Sequence, residues 1–205
     1  MKALILNDGV SENAGAFDLL KGICDGIAAQ HEIEWVNIHE LHHQPCQNCL
    51  KCHPYGECVL PEDDAHRIGR MIFSADALVI GLDSSLEDLS FRFRMLLDRC
   101  MAAIAFQNKQ GEICPWRKGR AAVVASLGRV ESSMPEPITE IDRFYSPLLR
   151  TLEAGGFEVI GTIEVNAGQD SSAKLLSIEQ ARVLGCRLSR TMQKESNHLA
   201  GSSCF

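Results

Sequence analysis

The chain has no apolar stretch near the roughly 20 residues that a helical membrane span needs, and no dense basic run. The first absence argues against a membrane partner. The second, with Lys+Arg 20 against Asp+Glu 27 and a formal net charge of −7, argues against nucleic acid, whose phosphates demand clustered cations. Also missing is the apolar core of a signal peptide. "MKALILNDG" reaches the polar Asn7 and Asp8 too soon, so a cytoplasmic location is expected. No internal repeat or interdomain linker is visible, nor is a G-x-G-x-x-G dinucleotide fingerprint. A disulfide framework is unexpected as well, because the nine cysteines stand in a chain without a secretion signal and are odd in number.

The composition itself is that of an ordinary globular protein, 45% hydrophobic and 23% charged over 205 residues, enough to bury a core without covalent staples. Strand-like and helix-like segments alternate along it. "KALIL" (2–6) reads as a strand and "AFDLLKGICDGIAAQ" as a helix. "EIEWVNI" (32–38) is a second strand. "DDAHRIGRMIFSA" is a helix capped by Asp63 or Asp64, and "DALVIGL" (76–82) is a continuous apolar strand of the kind buried on both faces of a parallel sheet. A long helix is expected over 86–106, a fourth strand in "GRAAVVASLG", and a helix in "EPITEIDRFYSPLLRTLEAGG". A fifth strand follows in "FEVIGTIEV", then a final helix over 171–192. Residues 41–61, 108–118 and the tail are the irregular segments.

Five strand–helix alternations with right-handed crossovers imply an α/β fold, an open doubly wound parallel sheet with helices on both faces. In the order 2-1-3-4-5, a ligand sits beyond the carboxyl ends of strands 1 and 3. The expected layout is one domain over 1–193, including the Cys-rich loop 41–61, and a flexible tail over 194–205.

That loop carries the most specific chemistry. Within "PCQNCLKCHPYGECVLPEDD", Cys46, Cys49, Cys52 and Cys58 form C-x2-C-x2-C-x5-C. Three thiolates at intervals of three can converge on corners of a [4Fe-4S] cubane, and Gly56 supplies a turn before the fourth. Three other readings stay open: a zinc site using these thiolates or His42, His43 and His53, a Cys46/Cys49 dithiol, and a loop that holds no metal. Cys24, Cys100 and Cys186 fall on apolar helix faces and are expected to pack in the core. Cys114 and Cys204 are expected to be exposed. His39, His42 and His43 read as solvated, and Arg99 as half of a structural ion pair.

The opening "MKALILN", the cysteine block, "LLDR" and "LEAGGFEVIGTIEV" together resemble the iron-sulfur flavoprotein branch of the flavodoxin-like NAD(P)H-dependent FMN reductase superfamily. The resemblance implies a homo-oligomeric electron-transfer protein or oxidoreductase with one [4Fe-4S] cluster closed by Cys58. It also implies FMN at the ends of strands 1 and 3, a redox partner protein or small-molecule acceptor, and NAD(P)H as a donor. The alternative is a non-enzymatic scaffold or regulatory subunit with a zinc-bound or empty loop.

The flavin pattern is degraded. In the first loop the family's Gly falls on Asp8, its Ser on Gly9, its Pro on Val10, its Arg on Ser11 and its Thr on Ala16. The ring-wrapping pattern falls on "LDSSLED", Leu82 to Asp88. Gly9, Ser11 and Asn13, then Ser84, Ser85 and Leu86, then Ser126 and Gly128 are the candidate FMN contacts. Asp8, Asp83, Glu87 and Asp88 are expected to oppose a phosphate dianion.

Overall fold

A computed structural model describes residues 1–8, 15–27, 29, 31–52, 56–83, 89–107, 110, 112–117, 119–128, 146–166 and 170–199. The strands are β1 (Lys2–Asp8), β2 (Glu32–Asn37), β3 (Ala77–Asp83), β4 (Ala105–Gln107), β5 (Ile113–Pro115), β6 (Arg120–Gly128) and β7 (Phe157–Asn166). The α-helices are α1 (Gly15–Gly26), α2 (Asp64–Ser74), α3 (Phe91–Ile104), α4 (Ser146–Ala154) and α5 (Ser171–Leu199), and a 3-10 turn covers Ile38–Glu40.

The main sheet is five-stranded and parallel, in the order β2-β1-β3-β6-β7. This is the expected 2-1-3-4-5 winding, with the small antiparallel pair β4-β5 inserted before the fourth strand of the sheet. The central strands are apolar without alternation because both faces are covered. Leu4, Leu6, Leu78, Ile80, Ala122 and Val124 point into one core with α2, α3 and α4, whereas Ala3, Ile5, Val79 and Val123 point into the other with α1 and α5.

The α1–α5 contact is set by missing side chains. A Cβ on Gly185 would lie 2.0 Å from the Ile23 carbonyl oxygen, and one on Gly26 would lie 2.1 Å from that of Arg182. Only glycines let these two backbones approach so closely.

The opposite face is built around capped helices and buried cations. In α2, Ala65, Ile68, Gly69 and Ile72 recur at helical spacing and are buried, and Asp63 is the N-cap, its side chain accepting from the Ala65 N–H at 3.0 Å. Arg120 is buried at the amino end of β6. Its guanidinium donates to the Ile72 and Gly155 carbonyls at 2.8 and 2.6 Å and lies 3.8 Å from the Phe157 ring centre. Burial pushes its pKa down to about 10.

Several expected boundaries differ. The helix expected over 86–106 begins at Phe91, because Ser90 caps it there by accepting from the Phe93 N–H. It ends at Ile104, where the chain enters β4, so 108–118 is in part a hairpin arm rather than wholly irregular. α5 continues past Met192 to Leu199. Of the expected helix over 136–156, only Ser146–Ala154 falls among the described residues. Cys100 is buried as expected, but Cys186 is exposed, because α5 presents it on the side away from the sheet.

Candidate functional site

Two places carry the candidate chemistry. The first is the carboxyl edge of β1, β3 and β6, where Asp8 pairs in register with Leu82 and Leu82 with Ser126. The winding reverses there.

Asp8 is buried, and its carboxylate accepts the Ser90 N–H at 3.0 Å and the Ser90 hydroxyl. It therefore turns to the N-terminus of α3, where the helix dipole favours an anion. Ser126 is fully buried, and its Oγ has no hydrogen-bond partner among the described residues; a buried hydroxyl left that way is costly unless a ligand or loop completes it. Gly128 ends β6 opposite Asn166. Gly9, Ser11, Asn13, Ser84, Ser85 and Leu86, together with Glu87 and Asp88, lie outside the described residues.

The second place is the cysteine loop. Cys46 and Cys49 are exposed, Cys52 and Cys58 half-buried, and all four are free thiols. The backbone is bent sharply between them: Asn48 and Leu50 both hold positive φ, 49° and 56°. Asn tolerates that region, but for Leu it costs about 1–2 kcal/mol. The Asn48 turn aims its own N–H at the Cys46 Sγ, at 3.4 Å. Gly56 holds φ 73° and closes a turn from its N–H to the Cys52 carbonyl at 3.0 Å.

Burial pushes the Cys52 thiol above its ordinary value, and Cys58, Cys46 and Cys49 add to the shift, so the four sulfurs share one electrostatic neighbourhood. Among the described residues, no three His, Cys, Asp or Glu side chains already form a metal cage. The donor set nonetheless fits a thiophilic metal or an iron-sulfur cluster in kind: four thiols and a backbone N–H directed at one of them.

Both ends of the loop are latched to the helices. Arg99 of α3 is buried and grips Asp63 through two parallel bonds, Nη1 to Oδ2 at 3.0 Å and Nη2 to Oδ1 at 3.1 Å. The same Nη1 donates to the Gln44 carbonyl at 2.9 Å, and Asp63 accepts the Gln44 N–H at 3.0 Å. His66 completes the far end. Its Nδ1 faces both the Asp63 N–H and the Asp63 Oδ1 at 3.1 Å, and its Nε2 the Cys58 carbonyl at 3.0 Å.

Burial alone would raise the Asp63 carboxyl, but the Gln44 N–H and the Arg99 guanidinium outweigh it and hold it below the usual range. Arg92 adds a further hold on the leading segment, donating to the Leu41 carbonyl at 2.9 Å and the His39 carbonyl at 3.2 Å.

Of the remaining candidates, His39 and His42 are exposed as expected, while His43 is half-buried with Nε2 3.2 Å from the Arg92 carbonyl. His53 and Cys204 lie outside the described residues. Cys24 is half-buried against the α1–α5 core and Cys114 is half-buried rather than exposed. Arg99 is an ion-pair residue as expected, but its partner is Asp63 of the loop's exit rather than the adjacent Asp98. Sequence reading identified Asp63 as a cap and missed it as a latch; the D-x-x-H spacing of Asp63 and His66 is the one local signal that points to it.

No family model matches the sequence, and no curated protein does. Solved structures do share the fold. An FMN-dependent NADH-azoreductase from Bacillus anthracis str. Ames Ancestor, in complex with FMN, superposes with a TM-score of 0.73 at 16% identity, covering 92% of this chain and 99% of that one. An NAD(P)H:quinone oxidoreductase from Methanothermobacter marburgensis gives 0.64 at 18% identity over 92% and 98%. A flavodoxin from the domain Archaea gives 0.55 at 10% over 94% and 99%. The fold is flavodoxin-like.

Proposed function

We propose that this protein is a flavodoxin-fold oxidoreductase that transfers electrons, with one [4Fe-4S] cluster held by Cys46, Cys49, Cys52 and Cys58 and FMN at the carboxyl edge of β1, β3 and β6. The observation that carries the reading is the latched loop: four free thiols between Gln44 and Cys58, both tied to the Asp63–Arg99–His66 network. A loop with no task has no need of a buried ion pair at its base. FMN in the azoreductase neighbour, the unpartnered Ser126 hydroxyl and the turning of Asp8 towards α3 support the flavin half.

Bound in this way, the cluster supplies one-electron transfer and FMN links single electrons to two-electron chemistry. The chain's own residues do the rest. The Asn48 N–H stabilises charge on the Cys46 sulfur, as N–H donors to thiolates do in cluster sites. Arg99, Asp63 and His66 fix where the loop leaves and rejoins the helices. Asp8 is held by Ser90 at the N-terminus of α3, where the helix dipole offsets part of its charge.

A redox partner, an oligomer and NAD(P)H as donor belong to the same proposal. Among the described residues, no helix is long and apolar enough to cross a membrane.

Anaerobic purification followed by assay of iron, acid-labile sulfide, zinc and FMN tests the reading. About four irons and four sulfides per chain, with FMN, are expected. One zinc without flavin, or no metal at all, overturns it in favour of a non-enzymatic scaffold.

A further inference from the structure

α5 buries one side against α1 and the sheet, through Ala181, Leu188 and Met192, and turns the other to solvent. Along that outer side the exposed residues Leu176, Glu179, Val183, Cys186, Arg190 and Gln193 recur at alternating steps of three and four. This is the seam spacing by which one helix lies lengthwise on another. Leu176 and Val183 on the seam keep 62% and 60% of their surface uncovered, and Leu175 flanks it at 68%. Beside the seam, between α5 and the outer strand β7, a cavity of about 360 Å³ with Thr162, Ile163 and Gln180 on its walls leaves room for side chains of a neighbouring helix.

Charge selects what lies there. Glu179 stands in the first half of the seam and Arg190 in the second, and neither makes an ion pair among the described residues. An acidic or a basic partner would satisfy one of them and repel the other. A second copy laid parallel would set Glu179 against Glu179 and Arg190 against Arg190. Laid antiparallel, with Val183 level with Cys186 of the second copy, it sets each Glu179 against an Arg190, and both bridges form at once. That reciprocity is what a twofold contact between identical chains requires.

From the seam spacing, the uncovered aliphatic side chains and the self-complementary charges, we infer that the outer side of α5 is the contact between two copies of this chain, packed antiparallel. Val183 and Cys186 of the two copies form its centre, and the two Glu179–Arg190 bridges close it on either side. The two Cys186 thiols come within reach of each other, offset by about 4.5 Å along the helix direction at the helical rise. The inference gives the oligomer of the proposed function its surface and to that extent rests on that reading; it uses neither metal nor flavin.

The test is sedimentation velocity of the full chain as purified, over a concentration series, beside Glu179→Arg and Arg190→Glu. The native chain is expected to dimerise in the micromolar range, as small contacts do. Each single variant is expected to weaken the dimer about tenfold, since two attractions become two repulsions, with the circular dichroism spectrum retained because both positions are exposed. The double variant, or an equimolar mixture of the two single ones, is expected to restore it. Bis(maleimido)ethane is expected to join Cys186 to Cys186 in the native chain, read as a linked peptide by mass spectrometry, and to do so far less in Glu179→Arg. A native monomer at every concentration, a dimer untouched by Glu179→Arg, a double variant as weak as the single ones, or a dimer without the Cys186 link overturns the contact. Iron and FMN assayed on the same samples separate the two readings: their absence beside a Glu179-dependent dimer sinks the electron-transfer reading and leaves the contact standing, and their presence in a chain without that dimer does the reverse.

Discussion

The two faces of the sheet are held together by different physics. On the α1–α5 face, contact is made by closeness. Gly26 and Gly185 let the backbones nearly touch, the core is aliphatic, and a buried polar pair there is His31 with Ser189, 3.0 Å apart. On the α2–α3 face, an apolar core also encloses charge. Arg99 and Arg120 are both buried, one matched by a carboxylate and the other by backbone carbonyls and a ring. Burying cations is expensive, and a hydrophobic substitute is often as stable. The difference teaches that the first face is scaffold, whereas the second spends stability on fixing the cysteine loop.

The sharpest way to break this comparison is Arg99→Met. It leaves the Asp63 carboxylate unmatched, and loss of one partner of a buried pair costs about 3–5 kcal/mol. Urea unfolding should show that loss, and in the metal-free protein Cys58 should also become faster to alkylate, since its end of the loop is released. A loss of stability with Cys58 reactivity unchanged would make Arg99 a fold residue only. Gly185→Ala is the counterpart on the other face. The added Cβ meets backbone, and overpacking costs roughly 1–3 kcal/mol, here at the upper end. Melting temperature should fall while metal content and loop reactivity stay as they were.

Acid sharpens the contrast next. The Asp63 carboxyl is held below its ordinary value, so its stabilising contribution is present above the unfolded-state pKa and is lost as pH falls through the folded value. Unfolding free energy measured from about pH 6 to about pH 3 should drop, and Asp63→Asn should flatten that drop. Asp64, held low chiefly by the His42 N–H, adds in the same direction. The smallest perturbation is chemical: in the metal-free protein, brief alkylation at neutral pH should label Cys46 and Cys49 and spare Cys100, whose thiol burial pushes up to about 12. Mass spectrometry of the labelled peptides reads the order directly.

The sheet was legible because strands buried on both faces must be apolar, and 77–82 and 121–125 are so throughout. The α3 boundary was not, because an apolar helix running into a three-residue strand has no break in its pattern at Ile104; only the pairing of Ala105 with Pro115 marks it. The cysteines of the loop could be read from spacing alone. The latch could not, since Asp63 and Arg99 are 36 residues apart and only the packing of α2 on α3 brings them together. The Asp8 charge was visible in the same way, but its bond to Ser90, 82 residues away, was not.

The most direct measurement is the low-temperature electron paramagnetic resonance spectrum of the anaerobically purified, dithionite-reduced protein beside its Cys58→Ser variant. The account predicts the signal of one reduced [4Fe-4S] cluster in the native chain and its loss or conversion in the variant. A reduced native chain with no iron signal, its loop carrying zinc or nothing, would contradict it.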